Sequence, residues 1–177
     1  DVVVVVRGPL EAVTVRRKDR RFGIWMNTDS LLFPTVPSFY AVRTSAPLHT
    51  ITTAGVRKRN GIGVTNLDLE PVETDLPGPE ITAWQQGLNR GKQRRGQYTR
   101  QPGPVRFVGG GLFRTKLFFP ATVPTGHYQI EVYLVRGKQV VTAQTTPLIV
   151  SKAGMEAKLF QFAHGNAAAY GIVAVLL

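Results

Sequence analysis

Three histidines, His49, His127 and His164, and 11 carboxylates are the side chains here that could move a proton or hold a metal. Their spacing gives them little to work with. No histidine has a second one a helical turn away and there is no cysteine, so neither a His-x-x-x-His pair nor a thiolate site can be assembled locally. No Gly-x-Ser-x-Gly elbow surrounds Ser30, Ser38, Ser45 or Ser151. The acids crowd into Asp68, Glu70, Glu73, Asp75 and Glu80 without the spacing or central glycine of a calcium loop. Gly109, Gly110 and Gly111 lead into a strand and not a helix, and no Gly-Lys-Ser/Thr completes a phosphate loop. The expectation is a protein that is not an enzyme, with no catalytic residue, no metal and no cofactor.

Positive charge is the more prominent chemistry. Lysine and arginine number 22 against 11 acids, a net charge of +11 concentrated in the first two-thirds of the chain. Three groups stand out: Arg16, Arg17, Lys18, Arg20 and Arg21; Arg57, Lys58 and Arg59; and Arg94 and Arg95 within a looser cluster from Arg90 to Arg100. These are the candidate contacts to an anionic partner. Each also has a plainer reading as a solvated strand end or helix end, and the acidic stretch could neutralise part of the charge within the molecule. A soluble basic nucleic-acid-binding protein is the alternative function. It is disfavoured because the basic groups lack the interleaved stacking aromatics of single-strand binders.

Elements must position these groups, and Leu112 to Val150 has the clearest pattern, reading as three consecutive strands. Pro120, Pro124 and Gly126 mark the first reversal, and Arg136-Gly137-Lys138 the second. Tyr128, Ile130, Val132 and Leu134 alternate with Gln129, Glu131 and Tyr133, which predicts one buried and one wetter face. Gly126 and Tyr128 resemble the tyrosine corner of immunoglobulin-like sandwiches, in which a tyrosine bonds back to the incoming backbone. The expected fold is therefore mainly β, an immunoglobulin-like antiparallel β-sandwich with one short helix and a C-terminal helix.

Earlier in the chain, Val2 to Val6 suits an interior strand buried on both faces, and Gly8-Pro9 suggests a hairpin to Ala12–Val15. Phe22 to Met26 reads as a strand, Asn27 to Ser30 as a turn, and Pro34 and Pro37 as marks of an edge or bulge. Trp25 and Tyr40 are assigned to the core. Pro79 to Arg90 is the first helix, with Pro at its favoured first position and Ile81, Trp84 and Leu88 on one face. After Val150 the period becomes helical at Met155, Leu159, Phe162 and Ala163, and the chain ends in AAAYGIVAVLL. That run is shorter than the ~20 apolar residues that cross a bilayer.

The stretches DVVVVVRGP, GIWMN with PSFYAV, GLFRTKLFFPATVPTGHYQIEVYLVRGKQVV and the ending PLIVSKAGMEAKLFQFAHGNAAAYGIVAVLL together resemble an uncharacterised alphaproteobacterial transmembrane protein family. The resemblance implies a signal sequence and a first strand before Asp1, and the remainder of a transmembrane helix after Leu177. It divides the chain into an extracytoplasmic β-sandwich over 1–150, with a helical insertion near 79–91, and a juxtamembrane segment leading into a truncated transmembrane helix over 151–177. It implies a single-pass protein of the inner membrane with its β-domain in the periplasm, contacting the lipid bilayer through the C-terminal helix. A transporter-type membrane protein is the implied partner. The family brings no catalytic residues.

Overall fold

A computed structural model describes residues 1–72 and 74–151. Its centre is β1 (Val2–Arg7), five valines and an arginine with every valine buried. A β-branched run with no polar alternation cannot leave either face in water, and β1 accordingly has a strand on each side. β4 (Tyr40–Thr44) and β7 (Gly126–Arg136) flank it, both antiparallel. β5 (Gly103–Gly109) and β6 (Leu112–Thr115) extend the sheet beyond β4, and β8 (Gln139–Val150) closes it beyond β7, giving the six-stranded order β6-β5-β4-β1-β7-β8.

The expected hairpin between β1 and the strand after Gly8-Pro9 does not form. β2 (Leu10–Arg21) leaves the sheet and pairs only with β3 (Ile24–Pro37), making a separate two-stranded ribbon. The crossing point explains this. A Cβ on Gly8 would lie 2.5 Å from Ser38 Oγ and 2.9 Å from Phe39 N, so the strands pass closer than any other residue permits. The ribbon turns at Phe22-Gly23, and Asn27 to Ser30, read as a turn, lie inside β3 opposite a register shift between Arg17 and Lys18. A second shift between Glu11 and Val13 accommodates Pro34, whose missing N–H would break a regular ladder.

The strand order is not that of an immunoglobulin-like sandwich. Six strands share one sheet, and β4 pairs with β5 in parallel, at Arg43 with Gly103 and Thr44 with Pro104. A parallel neighbour needs a long crossover, and three helices supply it: α1 (Leu48–Ile51), α2 (Ala54–Arg59) and α3 (Gly78–Arg94). α3 is longer than the expected 79–90 because neither Gly87 nor Gly91 stops it. Termination comes at Gly96, at φ +71°, whose N–H bonds Gln93 O while Gln97 N–H bonds Lys92 O.

Both faces of the sheet are covered. On one, Val3, Val5, Tyr40, Val42, Tyr133 and Val135 pack with Leu31, Phe33 and Val36 of the ribbon and Trp84 and Leu88 of α3. On the other, Val2, Val4, Val6, Phe39, Ala41 and Tyr128 pack with Leu117, Phe119 and Val123. The second cover comes from the irregular segment 116–125, so the first of the three expected strands is only the four-residue β6, paired with β5 and not with β7. Along β7 the predicted faces are accordingly redrawn: Tyr133 and Val135, on the face expected to be wet, are buried, whereas Leu134 is 42% exposed. Trp25, assigned to the core, lies near the ribbon tip and is 66% exposed, while Tyr40 is fully buried. Among the described residues no helix is long and apolar enough to cross a membrane. The amphipathic stripe and apolar run at 152–177 lie outside them, as does Glu73.

Candidate functional site

A concave surface of about 1010 Å³ opens where β1 and β7 meet the turn after α2. Its floor is built from three side chains on paired strands. Arg7 ends β1, two residues beyond Val5, which lies opposite Glu131 on β7, and the side chains of Arg7 and Glu131 form a partly buried ion pair. Tyr133, two residues on and therefore on the same face, donates its hydroxyl to Glu131 Oε2 at 2.5 Å. The Arg7 guanidinium also donates to Asn60 O at 3.0 Å and Gly61 O at 3.4 Å.

Electrostatics follow from this packing. Burial works against the Arg7 charge, but the hydrogen bond and attraction of Glu131 outweigh it and hold the guanidinium pKa above its usual value. Burial, then the bond to the Glu131 carboxylate, pushes the Tyr133 hydroxyl up to about 12. Beneath them Tyr40 donates to Gly61 O at 2.6 Å and accepts from Gly63 N at 2.8 Å, and burial raises its pKa further still. Gly61 is required here: it has φ +57°, and a Cβ would lie 2.8 Å from Arg7 Nη2. The rim is basic on one side, with Lys58 and Arg59, and carries Asp68 on the other. Such an arrangement can hold a polar or anionic group at its rim. Its floor groups hold one another through Glu131 Oε2.

The basic groups predicted to meet an anionic partner are dispersed over three elements. Arg16, Arg17, Lys18 and Arg20 are exposed along β2, and Arg21 is its last residue, paired with Ile24. Arg17 forms an ion pair with Glu80 at 3.4 Å, and its guanidinium lies 4.6 Å over the Trp84 ring. Lys58 and Arg59 reach the cleft, whereas Arg57 turns back to bond Thr52 O at 3.1 Å. Arg94 and Arg95 are exposed at the end of α3. In the predicted corner, Tyr128 donates to Pro124 O at 2.6 Å, and Gly126, at φ +144°, lets the chain turn into β7. His127 lies in β7 opposite Ile149, and His49 lies in α1. No group of three or more His, Cys, Asp or Glu able to hold a metal occurs among the described residues.

Sequence reasoning passed over Arg7, Glu131 and Tyr133. A signal was present at Arg7, a charge ending a wholly buried strand, which calls for a partner; Glu131 and Tyr133 carried none, because the alternation placed them on the wetter face. Comparison with known proteins gave one match, a family model described as "Putative transmembrane protein (Alph_Pro_TM)", over residues 1–177. No curated protein matches, and no solved structure matches.

Proposed function

Because the chain belongs to this alphaproteobacterial transmembrane protein family, we propose that it is a membrane-anchored, non-catalytic binding or assembly module. The β-rich part stands in the periplasm on a single inner-membrane helix begun in the C-terminal apolar run. A transporter-type membrane protein is its partner, an element that rests on the family resemblance.

The observation that supports the non-catalytic reading is the mutual bracing of the floor groups. Arg7 and Tyr133 both hold Glu131 Oε2, and Arg7 is tied in turn to the backbone at Asn60. Here the same groups brace the walls of a cleft whose rim cations, Lys58 and Arg59, remain exposed. A rigid floor with charged side chains at its mouth suits recognition of a partner's acidic segment.

The test is membrane extraction of the full-length protein in its native host, with a protease-accessibility assay on spheroplasts. The anchored reading expects retention in the membrane through alkaline carbonate, release by detergent, and digestion of the β-rich part from the outer side. Complete release by carbonate, or protection of the β-rich part from external protease, would overturn it.

A further inference from the structure

The tip of the β2–β3 ribbon carries four large apolar side chains that none of the described residues covers. Phe22 is fully exposed at 102%, Ile24 and Trp25 are each 66% exposed, and Met26 is 52% exposed. Strand alternation sends Ile24 and Met26 to one face and Trp25 to the other, so the tip is apolar on both faces. Just behind it lie the exposed cations Arg16, Lys18 and Arg20, while the nearby Asp19 carboxylate accepts from Arg20 N.

The turn itself adds an independent observation. Phe22 and Gly23 have φ of +52° and +82°, the two positive values of a tight hairpin turn that Asn-Gly ordinarily supplies. A bulky aromatic in the left-handed region is sterically costly. Phe22 accepts that cost while remaining uncovered by the described residues, which points to a partner met at the tip.

We propose that the ribbon tip is a membrane-interface finger, inserting Phe22, Ile24, Trp25 and Met26 among the headgroups of an anionic bilayer while Arg16, Lys18 and Arg20 contact lipid phosphates. Apolar residues on both faces with cations just behind them fit a bilayer, whose interfacial zone surrounds an inserted tip on all sides and whose phosphates lie at the depth of the cations. Tryptophan is favoured at that depth, and each cation near an anionic surface adds attraction that salt screens. The proposal rests on the membrane-anchored reading for its location, but the finger is a second contact separate from the C-terminal run.

Trp25 reports on it directly. The sequence has two tryptophans, Trp25 and Trp84, and comparison with Trp25→Phe isolates the first from every other tryptophan the full-length protein carries. Trp84 is buried in the core. Full-length protein is reconstituted into vesicles containing phosphatidylglycerol with brominated acyl chains, and emission is compared with that of Trp25→Phe. The expected result is a blue-shifted, quenched component in the parent that Trp25→Phe lacks. Quenching should weaken severalfold in phosphatidylcholine vesicles, at high salt, or when Arg16, Lys18 and Arg20 are replaced by Gln. Phe22→Asn, which relieves the turn, should make the protein more resistant to urea and yet reduce the quenching.

Protein that stays in the vesicles with Trp25 unquenched and emitting as a water-exposed indole overturns the finger and leaves the anchor standing. Blue-shifted but unquenched emission overturns it in favour of a protein cover, such as a second copy of the chain. Quenching that is indifferent to lipid charge and salt overturns the role given to the cations. Protein that carbonate strips from the vesicles, yet is quenched at low salt, supports the finger and overturns the anchored reading.

Discussion

At the scale of single residues, stability concentrates in tyrosines that bond backbone or carboxylate from inside the core. The Tyr40 hydroxyl serves Gly61 O and Gly63 N together. Tyr40→Phe should leave a buried amide without a partner and cost roughly 1–3 kcal/mol, read as a lower urea midpoint with an unchanged slope. Tyr133 sets a pH dependence whose sign follows from its pKa of about 12 against an ordinary 10.0. The folded protein holds the phenolic proton more tightly than the unfolded chain does. Its contribution is therefore fully present below pH 10 and is lost as pH rises toward about 12. Tyr40 and Tyr98, also raised by burial, act in the same direction. In Tyr133→Phe, the fall in unfolding free energy across that window should be shallower by one tyrosine's share, measured by urea titration at neutral and alkaline pH. The partners of Tyr40 could not be read from the chain in advance. Tyr40 and Gly61 are 21 positions apart, and a hydrogen bond at that separation is fixed by the fold and not by spacing.

At the scale of elements, two features decide where the strands go. Gly8 is the hinge that lets the chain leave β1 for the ribbon. Gly8→Ala would place a methyl against Ser38 Oγ and the Phe39 backbone, with Tyr128 Cε1 at 3.0 Å. Backbone cannot yield cheaply, so a loss of about 3 kcal/mol or failure to accumulate folded protein is expected, by thermal unfolding or soluble yield. The other feature is the free edge of β8, 12 residues without a charge. Asp1 and Val135 exchange both backbone bonds, at 3.1 and 2.9 Å, so odd-numbered residues of β7 face β1 and even-numbered ones face β8. Pro147, opposite Gln129, therefore has its nitrogen on the open side of β8. Proline there removes a donor that another strand would use. Pro147→Val restores the donor and should raise concentration-dependent self-association, detected by light scattering or sedimentation, with little change in monomer stability.

At the scale of the whole molecule, the net charge of +11 does not become one surface. The ribbon, α2 and the end of α3 each carry a share, and Arg17 and Arg57 spend theirs within the molecule. Steeply salt-dependent duplex binding requires many phosphates neutralised together. Retention of mixed-sequence DNA at physiological salt is therefore not expected in a filter-binding titration, and tight, salt-sensitive retention would count against the proposed function. The sequence by itself determined those features that depend on near neighbours. These are the buried valine strand, the helix expected over Pro79–Arg90 and found over Gly78–Arg94, the Arg136–Lys138 turn and the mainly β character, each set by local periodicity or by the backbone freedom of one or two residues. Tertiary structure alone decided the partner of each strand, the parallel β4–β5 junction, the exposure of Trp25 and the meeting of Arg7 with Glu131. Those depend on which distant segment covers which face. A strand's alternation says that one side will be buried, but many covering segments satisfy it equally. The choice is made only when the ribbon, α3 and the 116–125 segment compete for the same apolar surface.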